Sequence, residues 1–227
     1  MAVKKVMMMG DTHADFGHMN RIINKHKPDV VIVCGDFGYW PPTTRLHPIK
    51  NGGCEIYFCD GNHENHMFLK AYREAEGNEL KPIMIGDWED VYYMPRGSVL
   101  ELNGKRILFM GGAESIDKAY RIKGYDWFEE ESITREDIAK IPDGGRGIDV
   151  VVSHTAPDFI IRYIGGDGLG QSEKQLRRVY GMVKPKDWYF GHMHRKCDKK
   201  TGDVHFHGLN MVPNSGCWQW LEETNGD

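Results

Sequence analysis

Several features that would mark other classes of protein are absent from this sequence. The formal net charge is −4, so no bulk basic field indicates a non-specific nucleic-acid binder, although a small nucleotide ligand is not excluded. No apolar run approaches the length of a membrane span. No internal repeat is evident, and the five cysteines include no Cys-x-x-Cys pair. What remains is the composition of a globular protein, with 40% hydrophobic and 27% charged residues.

The amino-terminal residues and the cysteines favour a cytoplasmic location without a membrane partner. The apolar run within residues 3–9 is too short for a signal peptide and indicates a buried strand. An odd number of scattered cysteines favours reduced, structural thiols. We expect residues 1–227 to form a single domain, with a polar insertion at about residues 111–147.

The first part of the chain alternates between strand and helix. After the strand at 3–9, a helical pattern runs from Phe16 to Lys27, with Asp15 as its N-cap. Residues 30–34 form a continuous apolar run, typical of a strand buried on both faces. This βαβ pattern predicts parallel pairing. A third strand is predicted at 54–59, and a helix from Glu64 to about Ala75 follows it.

Shorter strands follow, and their pattern is more typical of antiparallel pairing. The runs between 83 and 110 include two strands joined by the hairpin turn Asn103-Gly104. We interpret them as a second sheet packed on the first. A capping box at Thr134–Asp137 predicts a helix start, and further strands are expected at 148–153 and 188–190.

Five of the apolar runs are followed by residues that commonly bind metals, mostly beside a glycine. These residues are Asp11, His13, Asp36, Asn62, His63, His154, His192 and His194. In open α/β sheets, ligands bind beyond the carboxyl ends of the strands. We therefore expect these side chains to share one site.

The spacing of these residues suits metal ions. Asp11 and His13 are separated by one residue, so in an extended segment both would point to the same side, and His192 and His194 repeat this spacing. Asp36 stands alone, and its two oxygen atoms could bridge two ions about 3.5–4 Å apart. Nitrogen and oxygen ligands without thiolate fit manganese, iron or zinc.

A charge count favours an anionic substrate. If Asp11 and Asp36 are the only anionic ligands, two divalent ions leave the site near +2, or near +1 with a bound hydroxide. A phosphate group can neutralise this excess. Such ions also lower the pKa of bound water to about 7 in zinc enzymes, which provides a nucleophile at neutral pH.

The set of motifs resembles the calcineurin-like metallophosphoesterase family, in its small bacterial and phage branch. The matching stretches are Gly10-Asp11-Thr12-His13, Gly35-Asp36, Gly61-Asn62-His63-Glu64, His154 and Gly191-His192-Met193-His194. The resemblance implies an α/β fold, a four-layer α-β-β-α sandwich of two mixed β-sheets flanked by helices. It also implies a binuclear centre, with manganese or iron favoured, that hydrolyses phosphate esters through a metal-bound hydroxide.

The resemblance also implies a role for each residue. One ion would take Asp11, His13, Asp36 and His194, and the other would take Asp36, Asn62, His154 and His192. His63 would face the leaving-group oxygen as a proton donor or a stabiliser of charge. The alternative for His63 is that it orients a ligand. For Glu64 we favour compensation of the helix dipole in a first turn.

One departure from the family bears on the substrate. In phosphoprotein phosphatases, Asp-Arg follows the second motif, whereas Phe37-Gly38-Tyr39-Trp40 follows it here. This argues against a protein phosphatase. Tyr39 and Trp40 could stack on a nucleobase, or they could pack within their loop. Arg121 could replace the missing arginine, or it could pair with acidic residues of the insertion.

Three functions remain open. We favour a phosphodiesterase acting on a nucleotide or a nucleic-acid-derived substrate. The alternatives are a phosphomonoesterase and, from another class, a non-catalytic metal-binding scaffold. His205 and His207 alternate in a predicted strand, but two ligands do not make a closed site, so we predict no third metal site there.

Overall fold

Two six-stranded sheets lie face to face in the computed structural model, which describes residues 2–41, 48–86 and 88–221. The strands of the first sheet are β1 (Val6–Met9), β2 (Val30–Val33), β3 (Glu55–Phe58), β4 (Ile83–Met84), β5 (Val91–Tyr93) and β12 (Trp218–Trp220). Their order is β12-β1-β2-β3-β5-β4. The four central strands are parallel, and β12 and β4 are antiparallel to their neighbours.

The second sheet has a similar plan. Its strands are β6 (Val99–Leu102), β7 (Lys105–Met110), β8 (Val150–Ser153), β9 (Asp187–Phe190), β10 (Cys197–Thr201) and β11 (Val204–Gly208). Their order is β10-β11-β9-β8-β7-β6, with a parallel centre and an antiparallel strand at each edge. Both sheets are therefore mixed, as the family resemblance implies.

Helices cover the outer faces of both sheets. They are α1 (Phe16–His26), α2 (His66–Ala75), α3 (Arg135–Ala139), α4 (Asp158–Tyr163) and α5 (Gln171–Val183). Helices α1 and α2 share a hydrophobic cluster with the first sheet, and α4 and α5 share another with the second. A third cluster fills the space between the sheets. This arrangement confirms the four-layer sandwich.

The pleat of β1 explains why its run is continuously apolar. Met7 and Met9 join the cluster under the helices, whereas Val6 and Met8 join the cluster between the sheets. A strand that is buried on both faces needs apolar residues at every position. All four residues of β1 are buried, and Asp11, two residues after the end of the strand, is buried as well.

Some sequence predictions need correction. Strands β4 and β5 belong to the first sheet, and only β6 and β7 of the 83–110 region belong to the second. The residues of a single strand do not show whether it pairs in parallel or in antiparallel fashion, because the pairing depends on strands that are distant in the sequence. Helix α2 begins at His66 and not at Glu64, because the side chain of Asn65 caps it. Helix α4 and strand β10 were not predicted; both are short and weakly patterned.

The cysteines behave as predicted, since all five are free and buried. Within the described part of the chain, none of the helices combines the length and apolar character needed to cross a bilayer.

Candidate metal centre

Most of the predicted ligands lie just beyond the carboxyl ends of parallel strands. In the first sheet, Asp11, Asp36 and Asn62 follow β1, β2 and β3. In the second sheet, His154 and His192 follow β8 and β9. Because the two sheets are stacked, these ends meet at one edge of the sandwich.

The first group of donors consists of Asp11, His13, Asp36 and His194, whose ligand atoms all lie within 4.8 Å of one another. His194 Nε2 is 2.9 Å from Asp11 Oδ2 and 3.0 Å from His13 Nε2. His13 Nε2 is 3.7 Å from Asp36 Oδ2. This is the set that the family resemblance assigns to one ion.

The second group converges on His154, which is fully buried. Its Nε2 lies 3.1 Å from Asn62 Oδ1, 3.2 Å from His192 Nδ1 and 3.3 Å from Asp36 Oδ1. Asp36 thus belongs to both groups: Oδ2 faces His13, and Oδ1 faces His154.

The chemistry of the donors fits a cation. His154 Nδ1 lies 2.9 Å from the carbonyl oxygen of Cys34, which can only accept a hydrogen bond. The proton of a neutral ring therefore sits on Nδ1, and the lone pair of Nε2 points at the oxygen atoms of Asn62 and Asp36. Acceptors that face one another in a buried site need a positive charge between them.

The pKa values of His154 and Asp36 also show that this position favours positive charge. Burial lowers the pKa of His154, but the carboxylate of Asp36 outweighs it and raises the pKa to about 10. Burial raises the pKa of Asp36, but His154 outweighs it and holds this pKa well below its ordinary value.

Strained backbone accompanies the candidate ligands. His13, Asp36, His192 and His194 have positive φ angles of 44°, 46°, 62° and 45°. Such conformations are uncommon outside glycine and cluster at functional sites. They also correct the expectation of extended segments. His192 and His194 do not share one side: His192 faces His154, whereas His194 faces His13.

Glu64 has a different role from the one predicted, because it precedes the helix. Its buried carboxylate accepts hydrogen bonds from the backbone N–H groups of Gly38 and Gly61. Burial and the nearby charge of Asp36 raise the pKa of Glu64 to about 8. Glu64 therefore ties together the two turns that follow β2 and β3.

Ser115 is a site residue that sequence reasoning missed. Asn62 Nδ2 donates to Ser115 Oγ at 3.3 Å, which turns the amide oxygen towards His154. The backbone N–H of Ser115 donates to Glu131 Oε2 at 3.0 Å. No local pattern reveals this contact, since Ser115 is 53 residues from Asn62 in the chain.

His63 and Arg121 lie together beside the first group. The ring of His63 packs edge-on against His13, with centroids 5.0 Å apart, and burial lowers the pKa of His63. Arg121 Nη2 is 3.4 Å from His63 Nε2. Arg121 Nε also forms an ion pair with Asp117 at 2.7 Å. The acidic partner predicted for Arg121 is thus present, and the guanidinium group also reaches the site.

Tyr39 does not line the site, and its predicted role in substrate binding is wrong. Only 1% of Tyr39 is exposed, and its ring packs against Tyr72 and Trp88 in the core beneath the helices. A ring buried in this way cannot stack on a substrate. The alternative, that Tyr39 packs its loop, is confirmed.

The family model for calcineurin-like phosphoesterases matches residues 4–196. The chain belongs to this family. A lariat debranching enzyme from Schizosaccharomyces pombe is 26% identical over 226 residues, covering 85% of this chain and 48% of that enzyme. The chain thus spans about half the length of this relative. A phosphopantetheinyl hydrolase from Mycobacterium tuberculosis has the same fold, with a TM-score of 0.60 at 11% identity over 99% of this chain and 98% of the hydrolase. Family membership supports a hydrolase acting on phosphate esters.

Proposed function

We propose that this family member is a binuclear metal-dependent phosphodiesterase that acts on nucleotide-type substrates. The position of Asp36 carries the proposal, because its two oxygen atoms face two separate groups of donors. A carboxylate in this position can bridge two ions.

Each ion would have four protein ligands. Asp11, His13, Asp36 and His194 would hold one, and Asp36, Asn62, His154 and His192 would hold the other. When bound, the ions would supply Lewis acidity and a nucleophile at neutral pH by lowering the pKa of a coordinated water. Manganese and iron suit these nitrogen and oxygen donors, and zinc also fits.

The remaining chemistry falls to residues of the chain that do not bind the ions. His63 lies at the edge of the first group, where its imidazole can serve as a proton donor. We assign it proton donation to the leaving-group oxygen. Arg121 would bind a non-bridging phosphate oxygen, since its guanidinium group reaches His63.

Two observations support a nucleotide-type substrate. Tyr120 and Tyr125 flank Arg121 in the chain and are 92% and 70% exposed, so their rings can stack on bases. The relative from Schizosaccharomyces pombe is named for debranching lariats, a form of nucleic acid. The net charge of −4 favours a short substrate over a long polyanion.

A phosphomonoesterase is the second candidate, because Arg121 could bind a terminal phosphate as well as a diester. A non-catalytic scaffold is disfavoured, because every ligand that the family resemblance requires is present. We also infer that the protein is cytoplasmic and that residues 1–227 form one domain. The five free thiols and the family match over residues 4–196 support this inference.

The test compares hydrolysis of bis(p-nitrophenyl) phosphate, p-nitrophenyl phosphate and a dinucleotide by manganese-loaded protein. We expect a higher kcat/KM for the two diesters. A preference for the monoester would overturn the diesterase assignment in favour of the second candidate. Asp36→Asn should lose both ions in metal analysis, and a variant that retained both would contradict the bridging role.

A further inference from the structure

A second group of metal-binding side chains lies away from the candidate metal centre, at the opposite end of β9. Asp187 is the first residue of this strand, whereas His192 lies two residues beyond its last residue, Phe190. Donor atoms of Asp187, His205 and His207 all lie within 4.8 Å of one another. In the sequence the two histidines stand alone, but the sheet adds Asp187, which pairs with His205 between parallel strands β9 and β11.

These side chains share one face of the sheet. His205 and His207 are two residues apart on β11, and their rings are 4.0 Å apart. His207 Nε2 lies 3.0 Å from Asp187 Oδ1, a separation suited to two ligands of one ion. On the other side, His205 Nε2 lies 2.6 Å from Asp198 Oδ1 of β10.

Burial and charge distinguish this group from an ordinary surface cluster. Asp187 and His207 are 6% and 2% exposed, so the carboxylate is held in a buried position beside an imidazole. The side chain of Asp198 is 71% exposed, which leaves a route from solvent. The two carboxylates of Asp187 and Asp198 carry a formal charge of −2, which one divalent ion neutralises.

We propose that Asp187, His205 and His207 bind a structural divalent ion of the zinc type, with solvent completing the coordination. Imidazole and carboxylate ligands suit zinc. Asp198 would accept a hydrogen bond from His205 Nε2, and Nδ1 would be the atom of this ring that binds the ion. Carboxylates commonly orient metal-binding histidines in this way.

His207 has a second hydrogen-bond partner, Gln219. Gln219 Nε2 lies 3.1 Å from His207 Nδ1. Binding of the ion at Nε2 would move the ring proton to Nδ1, and the amide oxygen of Gln219 would accept a hydrogen bond from Nδ1–H after the amide group rotates. Gln219 belongs to β12, an edge strand of the first sheet, so its hydrogen bond with His207 would link the ligands on β9 and β11 to the first sheet.

The test is the zinc content of purified full-length protein after dialysis against zinc, measured by mass spectrometry. We expect His205→Gln and Asp187→Asn to bind one ion fewer than the wild type, without loss of phosphoesterase turnover. His18→Gln is a matched control, because His18 also pairs with an aspartate, Asp15 at 2.7 Å, but lies outside the cluster. Equal zinc content in the wild type and in both folded variants would overturn the proposal.

Asp198→Asn tests the site even if the buried variants fail to fold, because Asp198 is at the surface. It should weaken zinc binding about 10–100-fold at this site only. Zinc titrations followed by thermal unfolding would measure the change. Identical titrations for Asp198→Asn and the wild type would also refute the site. Neither result depends on whether the proposed phosphodiesterase activity is correct.

Discussion

Gly191 leaves the space that the carboxylate of Asp11 occupies. A Cβ atom at residue 191 would overlap Asp11 Oδ1 and would lie 3.2 Å from the carbonyl oxygen of Cys34. The next residue, His192, donates its backbone N–H to both oxygen atoms of Asp11 at 3.0 Å. The turn after β9 in the second sheet is thus packed directly on the end of β1 in the first.

Gly191→Ala should therefore displace Asp11 from the first group of donors. We expect at least about a tenfold loss of kcat/KM, because small displacements at a catalytic centre are costly, and weaker metal binding. Metal titration and steady-state rates measure both effects. Gly181→Ala is the control: this exposed glycine of α5 has no atom within 4 Å of the added Cβ. The control should be stabilised by about 0.5–1 kcal/mol, as for alanine in a helix. An unaffected Gly191→Ala enzyme would show that the close approach is unimportant.

Much of the fold and the candidate site was predictable, because both depend on strands with strong local patterns. The apolar runs of β1, β2, β3 and β8 are buried on both faces and end at the predicted ligands. The hairpin at Asn103-Gly104 was also predictable, since both residues adopt the positive φ angles that this turn requires.

Features created by distant contacts were not predictable. Ser115 orients Asn62 across 53 residues, and Arg121 reaches His63 across 58. The error at Tyr39 has the same origin. An aromatic residue in a polar loop looks available for a ligand, but α2 supplies Tyr72 to cover it. Asp187 joins His205 only because β9 and β11 are neighbours in the sheet.

His63→Asn should separate the two roles open for His63. If His63 donates a proton to the leaving group, kcat should fall about 10²–10⁴-fold, as for loss of a general acid, while the metal content stays unchanged. If His63 only orients a ligand, the metal content should fall as well. Rates and metal analysis of the same preparation distinguish the two results, and His18→Gln, which lies outside the first group of donors, provides the control. Unchanged turnover would exclude both roles.

Arg121→Ala should lower kcat/KM about 10–100-fold, the effect of losing a charged hydrogen bond to the phosphate. Arg121→Lys should recover only part of this loss, because an ammonium group lacks the forked geometry of guanidinium. Lys118→Ala is the control, since it removes an exposed positive charge from the adjacent short helical turn, Lys118–Tyr120. Steady-state kinetics with metal analysis test the prediction, which fails if Arg121→Ala and Lys118→Ala behave alike.

Asp137 should make stability depend on pH in acid. Burial raises its pKa, but Arg96 and Lys140 outweigh it and lower the pKa from 3.8 to about 2. A carboxyl group whose pKa is lower in the folded state stabilises the fold at pH values above its unfolded pKa of about 3.9. This stabilisation is lost as the pH falls towards 2.

The difference in unfolding free energy between the wild type and Asp137→Asn should therefore shrink by up to about 2 kcal/mol between pH 5 and pH 2. Denaturant unfolding of EDTA-treated proteins at several pH values measures it. Asp143→Asn is the control, because Asp143 is exposed and 3.9 Å from its nearest cation, Arg106. A difference that is independent of pH would contradict the pairing of Asp137 with Arg96.

Tyr120 and Tyr125 should affect nucleotide substrates more than small ones. Stacking contributes about 1–3 kcal/mol per base, so the double variant Tyr120→Ala/Tyr125→Ala should raise KM for a dinucleotide about tenfold or more. KM for bis(p-nitrophenyl) phosphate should change less than KM for a purine dinucleotide, because a nitrophenyl ring is smaller than a fused purine. The matched control is Tyr120→Phe/Tyr125→Phe, which removes the hydroxyl groups but keeps the rings, and its KM values should stay near those of the wild type. If the alanine and phenylalanine variants have the same KM for the dinucleotide, these tyrosines do not stack on the substrate, and the nucleotide assignment loses its main structural support.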